Sequence, residues 1–157
     1  MRPYAFPPRR YLPFTIAACA AIIACASAQA AGTPTVADAA KAPGAVTLPS
    51  GVVYQAVKEG SGASPAATDT VKVNYRGTFM DGREFDSSAK NGGPASFPLN
   101  RVIKCWTDGV QKMKVGGKAK LTCPADVAYG SRGAGGGQIP PDTPLQFDVE
   151  LLSINGK

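Results

Sequence analysis

The sequence predicts an α+β fold, a twisted antiparallel sheet of about five strands wrapped around one short helix. Three observations carry that prediction. From residue 48 onward, apolar and polar side chains alternate with period two in segment after segment. One stretch carries helical spacing instead. Glycine, proline and an Asp-Gly pair punctuate the runs as turns.

The first strand is read in "GVVYQAVKEG" (51–60), ending at Gly60. In "TVKVNYRGTF", Val71, Val73 and Tyr75 alternate with Lys72, Asn74 and Arg76, so one face is buried and the other wet. Asp81-Gly82 predicts a two-residue hairpin with positive φ at both positions, returning the chain through "REFDSS". "KAKLTC" turns Ala119, Leu121 and Cys123 inward, and Pro124 stops it. "LQFDVELLSI" alternates most cleanly, with Leu145, Phe147, Val149 and Leu151 against Gln146, Asp148 and Glu150. Trp106, Val110 and Met113 stand at i, i+4 and i+7, and Gly116-Gly117 can end that helix. The strands need a cover for their apolar face, and this helix supplies it.

Ahead of these elements the chain reads differently. Residues 1–30 have the form of a secretory signal peptide: a basic start without acids, a short apolar run, and small residues allowing cleavage after Ala28 or Ala30. The run is short for a membrane span, which needs about 20 residues. Ile22-Ile23-Ala24-Cys25 also resembles a lipobox, and that alternative would leave a lipidated Cys25 at the N-terminus. Either reading predicts an exported, periplasmic protein. Residues 31–47, rich in Ala, Pro and Thr with no repeating apolar face, are expected to form a flexible linker before a domain at 48–157.

Composition then excludes several chemistries. The chain carries a formal +6, of which three basic residues lie in the leader, leaving a mild +3 spread among acids. No basic run offers a nucleic-acid surface. There is no histidine, so Ser-His-Asp and Cys-His nucleophilic sites and His-ligated metals are excluded. No cofactor and no metal are expected. Cys105 and Cys123 remain after the leader, and in an oxidising compartment one disulfide is expected. Two free buried thiols are the alternative. A redox or zinc role lacks a C-x-x-C spacing and enough ligands.

"VKVNYRGTFMDGREFDSS", "FPLNRVIKCWTDGVQKMKVGGKAKLTCPADVAYG" and "IPPDTPLQFDVELL" together resemble an FKBP-type peptidyl-prolyl isomerase, in order from about Gly51 to Ile154. The resemblance implies a prolyl cis–trans isomerase that twists an X-Pro amide in an apolar aromatic pocket. It places Trp106 at the pocket floor and Tyr75, Phe85, Val102, Ile103 and Phe147 in its walls. The Ile103 N–H and the Tyr129 hydroxyl should bond substrate carbonyls, Asp86 should hold Tyr75 and polarise the rotating carbonyl, and Ile139 should sit at the tip of a loop over the pocket.

Pattern alone gives those residues plainer roles. Trp106, Tyr75 and Phe147 fit core positions, Asp86 before Ser87-Ser88 fits a turn or cap, and Tyr129 fits a loop. Departures from the family pattern are Ala95 where a second pocket phenylalanine is common (with Phe97 two residues on), a shorter segment between Leu99 and Val102, and Cys105 at a usual glycine position. The loop "GSRGAGGGQIPP" is expected to be mobile because of its glycines.

The implied partners are proline-containing segments of unfolded or partly folded proteins, and immunosuppressant macrolides should enter the same pocket. The segment before the domain is too short for the helical dimerisation arm of some members, so a monomer is expected. The alternative function is an FKBP-fold binding or chaperone module with little isomerase activity.

Overall fold

Alternation along 70–79 produces an interior strand of the sheet. The computed structural model describes residues 32–155, so the signal-peptide and lipobox readings lie outside the described residues. Strand β3 (Thr70–Phe79) buries Val71 and Val73 completely and pairs along its whole length with β7 (Leu145–Asn155). Its other edge is shared by β4 (Glu84–Ser87) and β5 (Ala95–Pro98). Beyond β7 lie β6 (Lys118–Cys123), β2 (Val53–Lys58) and β1 (Ala45–Thr47), and every pairing is antiparallel.

The inward set of β7 begins as the alternation requires, with Leu145, Phe147, Val149 and Leu151 at most 3% exposed. Then it shifts. Val73 faces Leu151 while Lys72 faces Ser153, so one extra residue bulges out and Ile154, not Ser153, turns inward beside Val71. A period-two slip flips a strand's faces, and the bulge uses that to keep an apolar residue in the core.

Helix α2 (Lys104–Val110) covers the apolar face. Cys105, Trp106, Gly109 and Val110 are its buried side. Gly109 lets it lie directly on β6, since a Cβ there would stand 2.7 Å from a methyl carbon of Leu121. Cys105 is bonded to Cys123 at the end of β6, with Cα atoms 5.7 Å apart, inside the usual range for a bridge. The helix is shorter than its apolar spacing suggests. After Val110 the chain tightens into i→i+3 turns (Lys112 N–H to Gly109 C=O, Met113 N–H to Val110 C=O), yet Met113 remains core at 2% exposed.

Three local expectations are corrected. The Asp81-Gly82 turn is not a two-residue hairpin with both residues at positive φ: only Gly82 is, at +89°, and the Gly82 N–H to Phe79 C=O bond closes a wider turn between β3 and β4. Glycine alone takes the left-handed position, and Asp81 instead accepts from the Arg83 N–H. The segment 31–47, expected as a flexible linker, contains two short elements. Helix α1 (Val36–Ala40) is held by a Thr35/Asp38 capping box, and β1 pairs with β2. Finally, β5 adds a strand that the apolar pattern did not announce. No helix among the described residues is long and apolar enough to cross a membrane.

Candidate active site

A cleft of about 300 Å³ opens between α2 and the inner ends of β3, β4, β5 and β7. Its walls come from five elements: Tyr75 from β3, Phe85 and Asp86 from β4, Phe97 from β5, Trp106 from α2 and Phe147 from β7. Arg101, Val102 and Ile103 line it from the turn entering α2, and Tyr129 from the loop after β6.

Trp106 lies beneath the aromatic walls, 5% exposed. Tyr75, Phe97 and Phe147 meet its ring edge-on, with centroids 5.4, 5.5 and 5.5 Å away. Phe85 stands perpendicular to Phe147 at 5.7 Å. Such edge-to-face contacts hold ring orientations as well as burying area, so the apolar surface is preformed. Ala95 leaves no aromatic at its position, and Phe97 two residues along the same face closes that side.

One carboxylate is set into this wall. Asp86 accepts the Tyr75 hydroxyl at 2.7 Å on one oxygen; on the other it accepts the Ser87 N–H at 2.9 Å and the Asn91 side-chain amide at 3.0 Å. The same Asn91 amide reaches the Tyr75 oxygen at 3.2 Å and the Ser87 carbonyl at 3.1 Å. All of these donors are neutral. The nearby cations Arg76 and Lys90 are drawn instead to Glu84, at 2.7 and 3.1 Å, and with Ser87 they pull its carboxyl down to about 2. Tyr75 is pushed up to about 12, first by burial and then by its bond to Asp86, so it is a neutral donor across the physiological range. Partial burial, followed by the charge of Asp86, also raises Tyr129.

A main-chain N–H and a phenol hydroxyl are among the uncommitted donors of the cleft. The Ile103 N–H and the Tyr129 hydroxyl bond no protein acceptor among the described residues, and Tyr129 is 36% exposed. Of the residues singled out from sequence, the structure gathers Asp86, Tyr129, Ile103, Tyr75, Phe85, Val102, Trp106 and Phe147 around one cleft.

Ile139 stands apart from that lining. It is 5% exposed, packs with the core and does not line the cleft. Its backbone exchanges two 3.0 Å bonds with Ala134, which draws the base of the loop inward and turns the side chain into the core. Two bonds tie the loop back to the domain: Asp142 N–H bonds Gly130 C=O, and the Gln138 amide donates to the Phe85 carbonyl at 2.7 Å. Sequence reasoning missed Asn91, Gln138 and Arg101. Asn91 before Gly92 reads only as a turn, and nothing local marks the other two.

The family model of the FKBP-type peptidyl-prolyl cis-trans isomerase matches residues 62–152. The FKBP-type isomerase FkpA of Aeromonas hydrophila is 52% identical over 126 residues, which is 80% of this chain and 46% of that protein. The macrophage infectivity potentiator of Trypanosoma cruzi is 51% identical over 113 residues, 71% of this chain and 57% of that protein. Among solved structures, Escherichia coli FkpA superposes with a TM-score of 0.72 at 49% identity, covering 76% of this chain and 55% of that one. A Pseudomonas syringae peptidyl-prolyl isomerase superposes at 0.71 and 39%, covering 76% and 86%. The chain spans about half the length of the curated relatives it matches. With this cleft on this fold, the chain belongs to the FKBP-type peptidyl-prolyl cis-trans isomerase family.

Proposed function

We propose that this protein is a peptidyl-prolyl cis–trans isomerase, exported by a leader at residues 1–30 and acting on proline-containing segments of unfolded or partly folded exported proteins. The barrier it must lower is about 20 kcal/mol and comes from amide resonance, which water reinforces by bonding the carbonyl of the planar form. A twisted amide has lost that resonance and is less polar. A dry aromatic cleft therefore favours it over the planar form, and each tenfold in rate needs only about 1.4 kcal/mol of that difference.

The residues divide the work. Trp106 receives the prolyl ring, with Tyr75, Phe97 and Phe147 excluding water around it. The Ile103 N–H and the Tyr129 hydroxyl, both free, hold substrate carbonyls on either side of the rotating bond. Asp86, fixed by Tyr75, Ser87 and Asn91, presents its charge to the carbonyl that swings out of plane. No nucleophile or base is needed. The observation that carries this reading is the edge-to-face aromatic floor with one clamped carboxylate beside it.

The test is protease-free cis-to-trans relaxation of a Leu-Pro peptide, with the wild type, Asp86→Ala and Tyr129→Phe. The wild type should accelerate relaxation and each variant should lose turnover while melting normally. Full activity in both variants and in their combination would overturn the site. No acceleration by folded wild-type protein would leave the binding-module reading.

A further inference from the structure

Of the described residues lining the cleft, only Asp86 and Arg101 are charged, and they differ in how far the protein has satisfied them. Asp86 is half-buried and accepts three hydrogen bonds from its own wall. Arg101 is exposed and makes no side-chain hydrogen bond and no ion pair among the described residues. Its backbone is nonetheless fixed. It ends the 3-10 turn Leu99–Arg101, in which Leu99 is fully buried. The Leu99 N–H bonds Asp69 C=O at 3.0 Å, and Thr107 Oγ1 donates to Leu99 C=O at 2.5 Å. A firmly held turn thus presents an unpartnered guanidinium at the rim of the cleft, next to Val102 and the free N–H of Ile103.

No ion pair among the described residues neutralises it. Glu84 is taken by Arg76 and Lys90, and Asp108 lines a separate depression with Lys104 and Lys112. The uncompensated charge at this rim is positive. A guanidinium offers a planar fork of five N–H donors, which matches a carboxylate better than any neutral group.

We propose that Arg101 makes this isomerase selective for prolyl segments that carry an aspartate or glutamate within two residues of the proline. The proposal rests on the isomerase reading above and names its substrate class. An exposed ion pair of this kind is worth about two- to five-fold in kcat/KM at low salt. Asp86 keeps its own charge in the same cleft, but that charge is common to wild type and both Arg101 variants, so the change in selectivity on substitution reports Arg101 alone.

The experiment compares Ala-Glu-Pro-Phe with Ala-Gln-Pro-Phe, and Ala-Leu-Pro-Glu with Ala-Leu-Pro-Gln, so that only charge differs within each pair. The Glu/Gln ratio of kcat/KM is read for the wild type, Arg101→Gln and Arg101→Glu. In wild-type protein it should be about three for at least one pair at roughly 10 mM salt and near one at about 1 M, where screening is short-ranged. It should approach one in Arg101→Gln and fall below one in Arg101→Glu. An equal ratio in all three proteins overturns the proposal. If folded wild type turns over no peptide, the isomerase reading fails separately. Binding of the same peptides, followed by Trp106 fluorescence, then decides: a Glu preference that reverses in Arg101→Glu upholds the charge selectivity, and an unchanged preference or no binding overturns it.

Discussion

Replacing Gly77 by alanine should damage the cleft from behind. Gly77 sits in β3 opposite Asp86 on one side and Phe147 on the other, in ordinary extended backbone, so space and not φ requires glycine there. A Cβ at this position would stand 2.6 Å from Cζ and 2.8 Å from Cε2 of Phe85, and 3.1 Å from Cε1 of Phe147. Carbon atoms pack at about 3.5–4.0 Å, so the Phe85 ring must withdraw by roughly 1 Å. Phe85 is 9% exposed and wedged against Phe79 and Phe147, which leaves it little room. Forcing one methyl into such packing costs about 1–3 kcal/mol. Because the displaced ring is a wall of the cleft, a shift of that size should lower kcat/KM about tenfold or more. Urea denaturation and the Leu-Pro relaxation assay measure the two effects. Phe85→Leu removes the atoms in the way, so Gly77→Ala should cost less in that background, a coupling typical of touching residues. Refutation would be a Gly77→Ala protein within about 0.5 kcal/mol of wild type and fully active, since Phe85 could not then lie over Gly77.

Three further outcomes follow from the same geometry. Cys105→Ala/Cys123→Ala should lose about 3 kcal/mol in denaturation, because the bridge closes a loop across a sequence separation of 18; stability equal to wild type would remove its role as a staple. In alkali, Tyr75 is a raised group: its folded value of about 12 lies above the unfolded phenol's 10, so its contribution is complete below pH 10 and is lost between about 10 and 12. The difference in phenolate absorbance between wild type and Tyr75→Phe should therefore appear near pH 12, and a step at ordinary phenol pH in the folded protein would contradict the half-buried Tyr75–Asp86 bond. Asn91→Ala should lower kcat/KM about three- to tenfold, as expected for one or two lost hydrogen bonds, and do almost nothing in an Asp86→Ala background; equal losses in both backgrounds would mean that Asn91 does not act through the carboxylate.

What could be read from the sequence, and what could not, divides along a physical line. Strands β6 and β7 were legible because a sheet with one wet face imposes period two on its side chains, and the core aromatics followed from that pattern together with the family motifs. Strand β5 was not. Its four residues between Pro94 and Leu99 end in a proline and pair only with β3, so the partner and not the apolar pattern makes them a strand. Helix α1 has no buried residue for a pattern to report, and its capping box was the one local sign of it.

The polar supports of the cleft are harder still, because their meaning lies in the partner. Asn91 acts across five residues to Asp86 and sixteen to Tyr75, and Gln138 across fifty-three to Phe85. The last pair lies beyond any local window, and in the two nearer ones no pattern marks which residues will meet. The loop is a case in point. Its glycines predict mobility, and in the structure Gly133, Gly135, Gly136 and Gly137 at positive φ make the tight turns through which Ala134 and Ile139 bond each other. That closure carries Gln138 to β4, beside Asp86. Glycine widens the conformations a chain can take, and the bonds made at the end decide whether that freedom is kept or used. Here it is used, to fix one side of the cleft.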